Sequence, residues 1–116
     1  MTNEMEENRV TVSQFHNYRL ITLSNMEQID LYNVKEIQEV FQKGNAEGIE
    51  DWIIDLSKIN HIDSSGLGGL ANQGILLSKK SKRLNILSPK SGVKHLFSVG
   101  GFNKMFAVIQ DKSDLL

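Results

Sequence analysis

The chain predicts an α/β fold: a single domain with a mixed, mostly parallel β-sheet and helices packed on it, in the order β-β-α-β-α-β-α-β. Three observations lead there. Asp51–Leu56 (DWIIDL) is a short, apolar, β-branched run with an aromatic, the pattern of a buried central strand. Leu31, Val34, Ile37, Val40 and Phe41 recur at helical spacing before it, and Leu67, Leu70, Ala71, Gly74, Ile75 and Leu77 do so after it. A strand between two such helices implies strand–helix–strand crossovers, which pair strands in parallel.

Taken in order, Met1–Asn8 is polar and expected to be a disordered tail. Val10, Val12 and Phe15 stand out of a polar run as a strand, His16-Asn17 is a turn, and Tyr18–Ser24 alternates as the hairpin partner. Asn25–Gln28 is a connection. Asp30 is the expected N-cap of a helix over Leu31–Lys43, with one buried stripe and with Gly44 and Gly48 where it stops. After the central strand and a short loop, a second helix runs from about Ser65 to Lys80, its small residues letting it approach the sheet closely. Leu84–Leu87 is a short strand stopped by Ser88-Pro89, since proline cannot donate to a ladder. Val93, Leu96 and Phe97 mark a third, short helix ended by Gly100-Gly101, Met105–Ile109 is the last strand, and Asp111–Leu116 is a short polar tail.

At 116 residues the chain suits one domain with one core. Without cysteine it has no disulfide, no thiolate metal site and no thiol nucleophile. No apolar run reaches the roughly 20 residues of a membrane helix, and acidic Met1–Arg9 is the opposite of a signal peptide. The expectation is a cytoplasmic protein with no membrane contact. Charge is uneven: residues 1–63 hold 12 acids and 5 bases, whereas 64–116 hold 2 acids and 8 bases. That is either a solvated, uneven surface or a basic face, from Lys79-Lys80-Ser81-Lys82-Arg83 to Lys90 and Lys94, that meets an acidic partner. Direct nucleic-acid binding is disfavoured, because no aromatic residues interleave with these bases.

The stretch that could carry function is Asp63-Ser64-Ser65-Gly66-Leu67-Gly68-Gly69. Asp and Ser before an apolar run satisfy the free N–H groups of a helix start. Those N–H groups and the helix dipole favour negative charge, and glycines keep the surroundings bare, so a phosphate would be well placed there. Two readings stay open for Asp63-Ser64-Ser65-Gly66: residues that only cap the helix, or an exposed acceptor hydroxyl.

Enzymatic readings of the same stretch fail on spacing. Gly66-Leu67-Gly68-Gly69-Leu70-Ala71 matches a dinucleotide fingerprint in form, but the glycines do not follow the strand in a tight turn and no acid lies about 20 residues on. Gly69 and Gly74 have phosphate-loop spacing, with Ile75-Leu76 where Lys and Ser/Thr must stand. A nucleophile elbow needs glycine two residues before and after its serine, a condition that neither Ser64 nor Ser65 meets. His16, His61 and His95 have no metal-ligand spacing. The chain therefore reads as no enzyme, with no cofactor and no metal.

Ile62-Asp63-Ser64-Ser65-Gly66-Leu67-Gly68 resembles the signature of STAS domains, specifically bacterial anti-sigma factor antagonists. The resemblance extends over residues 9–110: Asp51–Leu56 stands for the central strand. Ser88-Pro89, Val93-Lys94-His95-Leu96-Phe97 and Gly100-Gly101-Phe102 are similar to a later family segment, and Asp30 matches the acid ending the second strand region. It implies a phosphorylation site at Ser64, which leaves Ser65, one step further in, to hydrogen-bond the first turn, and partner contacts from Asp30, Asp63, Ser64, Ser65, Gly66, Leu67 and Gly68. The implied partners are an anti-sigma factor that is also a serine kinase of the histidine-kinase-like ATPase type, bound only when Ser64 is unphosphorylated, and a PP2C-type phosphatase. The alternative is an unphosphorylated STAS scaffold or transporter accessory subunit. Two departures from the family pattern stand out: Asn25-Met26-Glu27-Gln28 lacks the usual glycine before Asp30, and the C-terminal helix is missing or very short.

Overall fold

A two-residue turn, with His16 at a left-handed φ of 54°, folds β1 (Val10–Phe15) back onto β2 (Tyr18–Leu23). A computed structural model describes residues 9–44, 51–102 and 105–115. After the hairpin come β3 (Gln28–Ile29), α1 (Val34–Gly44), β4 (Asp51–Asp55), β5 (His61–Ile62), α2 (Ser64–Ser78), β6 (Leu84–Leu87), α3 (Ser91–Val99) and β7 (Ala107–Ile109), then a 3-10 turn at Lys112–Leu115. The main sheet has the order β1-β2-β4-β6-β7, antiparallel in the hairpin and parallel elsewhere. This is the expected mixed sheet and element order, with two short strands added.

All three crossovers step the same way along the sheet, and right-handed connections of that kind put their helices on one face. The packing agrees. Ile21, Leu23, Trp52, Ile54, Leu84 and Ile86 from the strands form one cluster with Val34, Ile37 and Phe41 of α1, Leu70 and Leu77 of α2, and Val93 and Phe97 of α3. Trp52 is 2% exposed, and its ring lies 4.7 Å from that of Phe41. Full burial of one such side chain is worth about 1.5–3 kcal/mol, so this face supplies most of the core. The alternate residues point the other way: Leu20, Ile53 and Leu87 are buried together beside Phe15, Tyr18 and Ile109. The Lys112 ammonium lies 5.4 Å from the centre of the Phe15 ring, which places the final turn beside β1.

Several expectations change at the level of contacts. α1 begins at Val34, because the carboxylate of Asp30 first closes a turn over Tyr32 and Asn33. Leu31 therefore leaves the buried stripe and is 50% exposed. Ile75, expected in the core, is 41% exposed on the outer side of α2. The small residues of α2 serve other elements than the sheet: a Cβ on Gly69 would stand 2.5 Å from Val34 Cγ2 of α1, and one on Gly74 would stand 2.9 Å from Phe106. The last strand is shorter than Met105–Ile109, starting at Ala107. The expected tail includes the 3-10 turn at Lys112–Leu115. The basic face divides, since Lys79–Arg83 precedes β6 and Lys90 and Lys94 follow it, at opposite ends of the sheet. The expectations for Met1–Asn8 and Gly48 fall outside the described residues.

Candidate functional site

The site begins where β4 ends. Asp55 accepts the Ser57 amide at 2.9 Å, Leu56 accepts the Ile59 amide at 3.0 Å, and Ile59 is driven fully into the core. That plug turns the chain across the end of the sheet. The Asn60 amide then donates to the Glu27 carbonyl at 2.7 Å, and β5 pairs in parallel with β3 in the register Gln28↔His61 and Ile29↔Ile62. One further bond, from the Asp63 amide to the Ile29 carbonyl at 3.1 Å, continues the ladder to the helix start. The segment read as a loop is therefore a second, two-stranded sheet, and it sets the position of Asp63.

Asp63 is the N-cap of α2. Its backbone is extended, its Oδ1 accepts the Gly66 amide at 2.7 Å, and its carbonyl accepts the Leu67 amide at 2.8 Å. The capping role expected of Ser65 belongs to this carboxylate instead, because Ser64 and Ser65 already have helical backbone. Both serines are exposed, and among the described residues neither hydroxyl is held by a hydrogen bond. The Ser64 and Ser65 amides precede the first helical bond, so the helix start presents donors and a positive dipole end next to two free hydroxyls. Among the described residues no cluster of His, Asp or Glu that could hold a metal ion is present.

The two glycines expected at a partner-facing surface part company. Gly66 is buried: a Cβ there would stand 2.5 Å from the Ile29 carbonyl oxygen, so β3 requires its bareness. Gly68 is exposed with nothing within 4 Å of the same position. Ser64, Gly68 and Asn72 fall at intervals of four along the exposed side of α2, leaving open ground beside the Ser64 hydroxyl. Leu67 is half-buried and packs against the core.

Asp30 is brought to the same end of the molecule through β3. Its Oδ1 accepts the Tyr32 and Asn33 amides at 2.9 and 3.0 Å, while its own amide donates to Asn33 Oδ1 at 2.9 Å. The Asn33 amide hydrogen bond, above all, holds its carboxyl below the ordinary range, opposed by desolvation and helped by the Tyr32 amide and the Gln28 side chain. Asn33, a buried polar side chain that sequence reasoning passed over, donates in addition to the Gln28 carbonyl at 2.7 Å. The D-x-x-N spacing was its only local signal. Across the mouth, Lys90 is bonded to Asn60, so this cation from the expected basic face is tied to the β4–β5 connection.

A cap and two exposed serines at a helix start, held by a small parallel ladder at the C-terminal edge of a one-sided sheet, can be compared with known proteins. The family model for the STAS domain matches residues 12–115. The chain belongs to the STAS domain family. Among curated relatives of this STAS domain is the anti-sigma-B factor antagonist of Staphylococcus epidermidis, 30% identical over 81 residues, which are 70% of this chain and 75% of that protein. The Staphylococcus aureus protein of the same name is 28% identical over the same shares. In structure, the STAS domain resembles the anti-sigma factor antagonist SpoIIAA in its unphosphorylated form, with a TM-score of 0.70 and 16% identity over 91% of this chain and 92% of the other. The phosphorylated form of Bacillus SpoIIAA matches with a TM-score of 0.69, covering 91% and 96%. The murine Slc26a9 anion transporter contains the same fold, with a TM-score of 0.71 and 19% identity over 88% of this chain and 17% of the transporter.

Proposed function

We propose that this STAS domain is an anti-sigma factor antagonist that works by partner switching at Ser64. The observation that carries the reading is Ser64 itself, an exposed hydroxyl at the start of α2 beside the open surface over Gly68. The likeness to staphylococcal antagonists supports the partner class. In this reading the unmodified domain binds an anti-sigma factor, itself a serine kinase of the histidine-kinase-like ATPase type, and sets the sigma factor free. A PP2C-type phosphatase restores the unmodified state.

Phosphate adds about −1.5 to −2 charges. In the free protein the amides of Ser64 and Ser65 and the helix dipole offset that charge, so the fold survives it. A complex that covers Ser64 would have to bury the dianion beside the Asp63 carboxylate, and buried charge without matching countercharge is costly. Affinity should fall on the order of a hundredfold or more, with little change in melting temperature.

The test is a titration of unmodified, phosphorylated and Ser64→Ala protein against the kinase with nucleotide present, beside melting curves of each. Peptide mapping after incubation with ATP and kinase should place the phosphate on Ser64. Equal affinity of modified and unmodified forms would overturn the switch, as would loss of binding through unfolding. Absence of any phosphorylation would favour the scaffold role, for which the same fold within an anion transporter is the supporting likeness.

A further inference from the structure

We propose that Leu31 and Tyr32 are the apolar anchor by which this chain engages its anti-sigma factor, seated in an apolar pocket of that partner with a basic rim. The inference rests on the partner reading above and adds the residues that would supply affinity and choice of partner. Its starting point is a conflict between pattern and structure. Leu31 continues the helical apolar series of α1, yet it is 50% exposed, and Tyr32 is 79% exposed. Two adjacent large side chains given up to water are where a binding surface gains most from burial, and tyrosine is among the residues that dominate interfaces.

The turn that carries them is rigid. Asp30 and Asn33 bond each other's backbone in both directions, the Val34 amide donates to the Asp30 carbonyl at 3.0 Å, and buried Asn33 reaches back to the Gln28 carbonyl. A turn closed at both ends by its own side chains presents Leu31 and Tyr32 with little ordering left to be done on binding. Its location is fixed just as firmly. Ile29, before the turn, lies under Gly66, and Val34, after it, lies against Gly69. The turn that carries them thus sits between two residues that pack on α2, at the end of the sheet where Ser64 is exposed. One contact surface then covers both. Phosphate on Ser64 would act on a complex whose affinity comes from its neighbours.

The rim chooses the partner's chemistry. Glu27 and Asp30 line one depression with Tyr32, and Asp63 caps α2 at the same end, while the nearby cations are engaged, Arg9 with Glu36 and Lys90 with Asn60. An acidic rim about an apolar pair fits a socket lined by aliphatic residues with Arg or Lys at its edge.

The experiment titrates the full chain and its variants against each anti-sigma factor kinase encoded in the chain's own genome, with nucleotide, by calorimetry. Tyr32→Ser should weaken binding about thirtyfold and Leu31→Ser about tenfold, with melting temperatures unchanged because both side chains are exposed. Tyr32→Phe should retain binding. Val99→Ser, which removes a 71% exposed side chain at the far end of α3, should bind like the parent. If the parent binds and phospho-Ser64 releases it, but Leu31→Ser and Tyr32→Ser bind within twofold, the anchor is wrong and the switch stands. If the parent binds none of the kinases, the partner reading falls and the anchor with it. Sedimentation showing that the parent self-associates, and that Tyr32→Ser abolishes this without touching kinase affinity, would assign the pair to a second copy and overturn the proposal.

Discussion

Two glycines two residues apart in α2 should respond to the same substitution with opposite signs. An alanine Cβ at Gly66 would stand 2.5 Å from the Ile29 carbonyl oxygen, 2.8 Å from its carbon and 2.9 Å from Ile29 Cγ2. Two of these are backbone atoms, and that oxygen also accepts the Asp63 amide at 3.1 Å, so Ile29 cannot retreat without loosening the β3–β5 ladder. Overpacking of this kind costs about 1–3 kcal/mol, and the strained hydrogen bond adds about 1 kcal/mol. Replacing a helical glycine offsets about 1 kcal/mol. The net loss for Gly66→Ala is therefore about 1–3 kcal/mol, or roughly 4–12 °C in melting temperature for a domain of this size. Gly68→Ala meets nothing within 4 Å and keeps only the helix gain, up to about 1 kcal/mol of added stability. Urea unfolding and thermal melts of both variants measure this directly. A Gly66→Ala protein as stable as its parent, or a Gly68→Ala protein clearly weaker, would refute the packing argument.

Asp63→Ala should cost about 1 kcal/mol through the lost cap, whereas Ser65→Ala should stay within about 0.5 kcal/mol as an exposed change; equal losses in urea melts would put the cap back on the serine. Gly68→Lys should leave the melting temperature near that of the parent and reduce kinase binding strongly, because the long side chain rises from open surface beside Ser64; parallel losses in both would mean internal packing. Asp30 supplies a pH signature. Its folded carboxyl lies below the ordinary 3.8, so its stabilisation is complete above that value and disappears as pH falls through the lower folded value. The margin of the parent over Asp30→Asn, read as melting temperature, should accordingly shrink below about pH 4, and a margin that stays constant through strongly acid pH would rule out the charge as its source.

What the sequence determined by itself was whatever depends on near neighbours. The apolar run at Asp51–Asp55 could only be a buried strand, and the periodicity of α1 and α2 follows from side chains three and four apart. Serine and aspartate before an apolar run marked the helix start at about Ser65, one residue after the observed Ser64, and the Ile62–Gly68 signature pointed to the family. Tertiary structure decided the rest, because long-range contact does not write itself into local pattern. β3 and β5 are two residues each, too short for any period, and they exist only because residues 33 positions apart meet: Gln28 with His61, Ile29 with Ile62. That both serine hydroxyls stay free was settled by that ladder, which delivers Asp63 rather than Ser65 to the capping position. Gly66 and Gly68 are alike in the motif, and only the Ile29 carbonyl beneath one of them separates an internal contact from an open surface. Leu31 fits the helical period of α1, but the Asp30–Asn33 turn uses those backbone amides first, and the helix starts after it with Leu31 turned out to solvent.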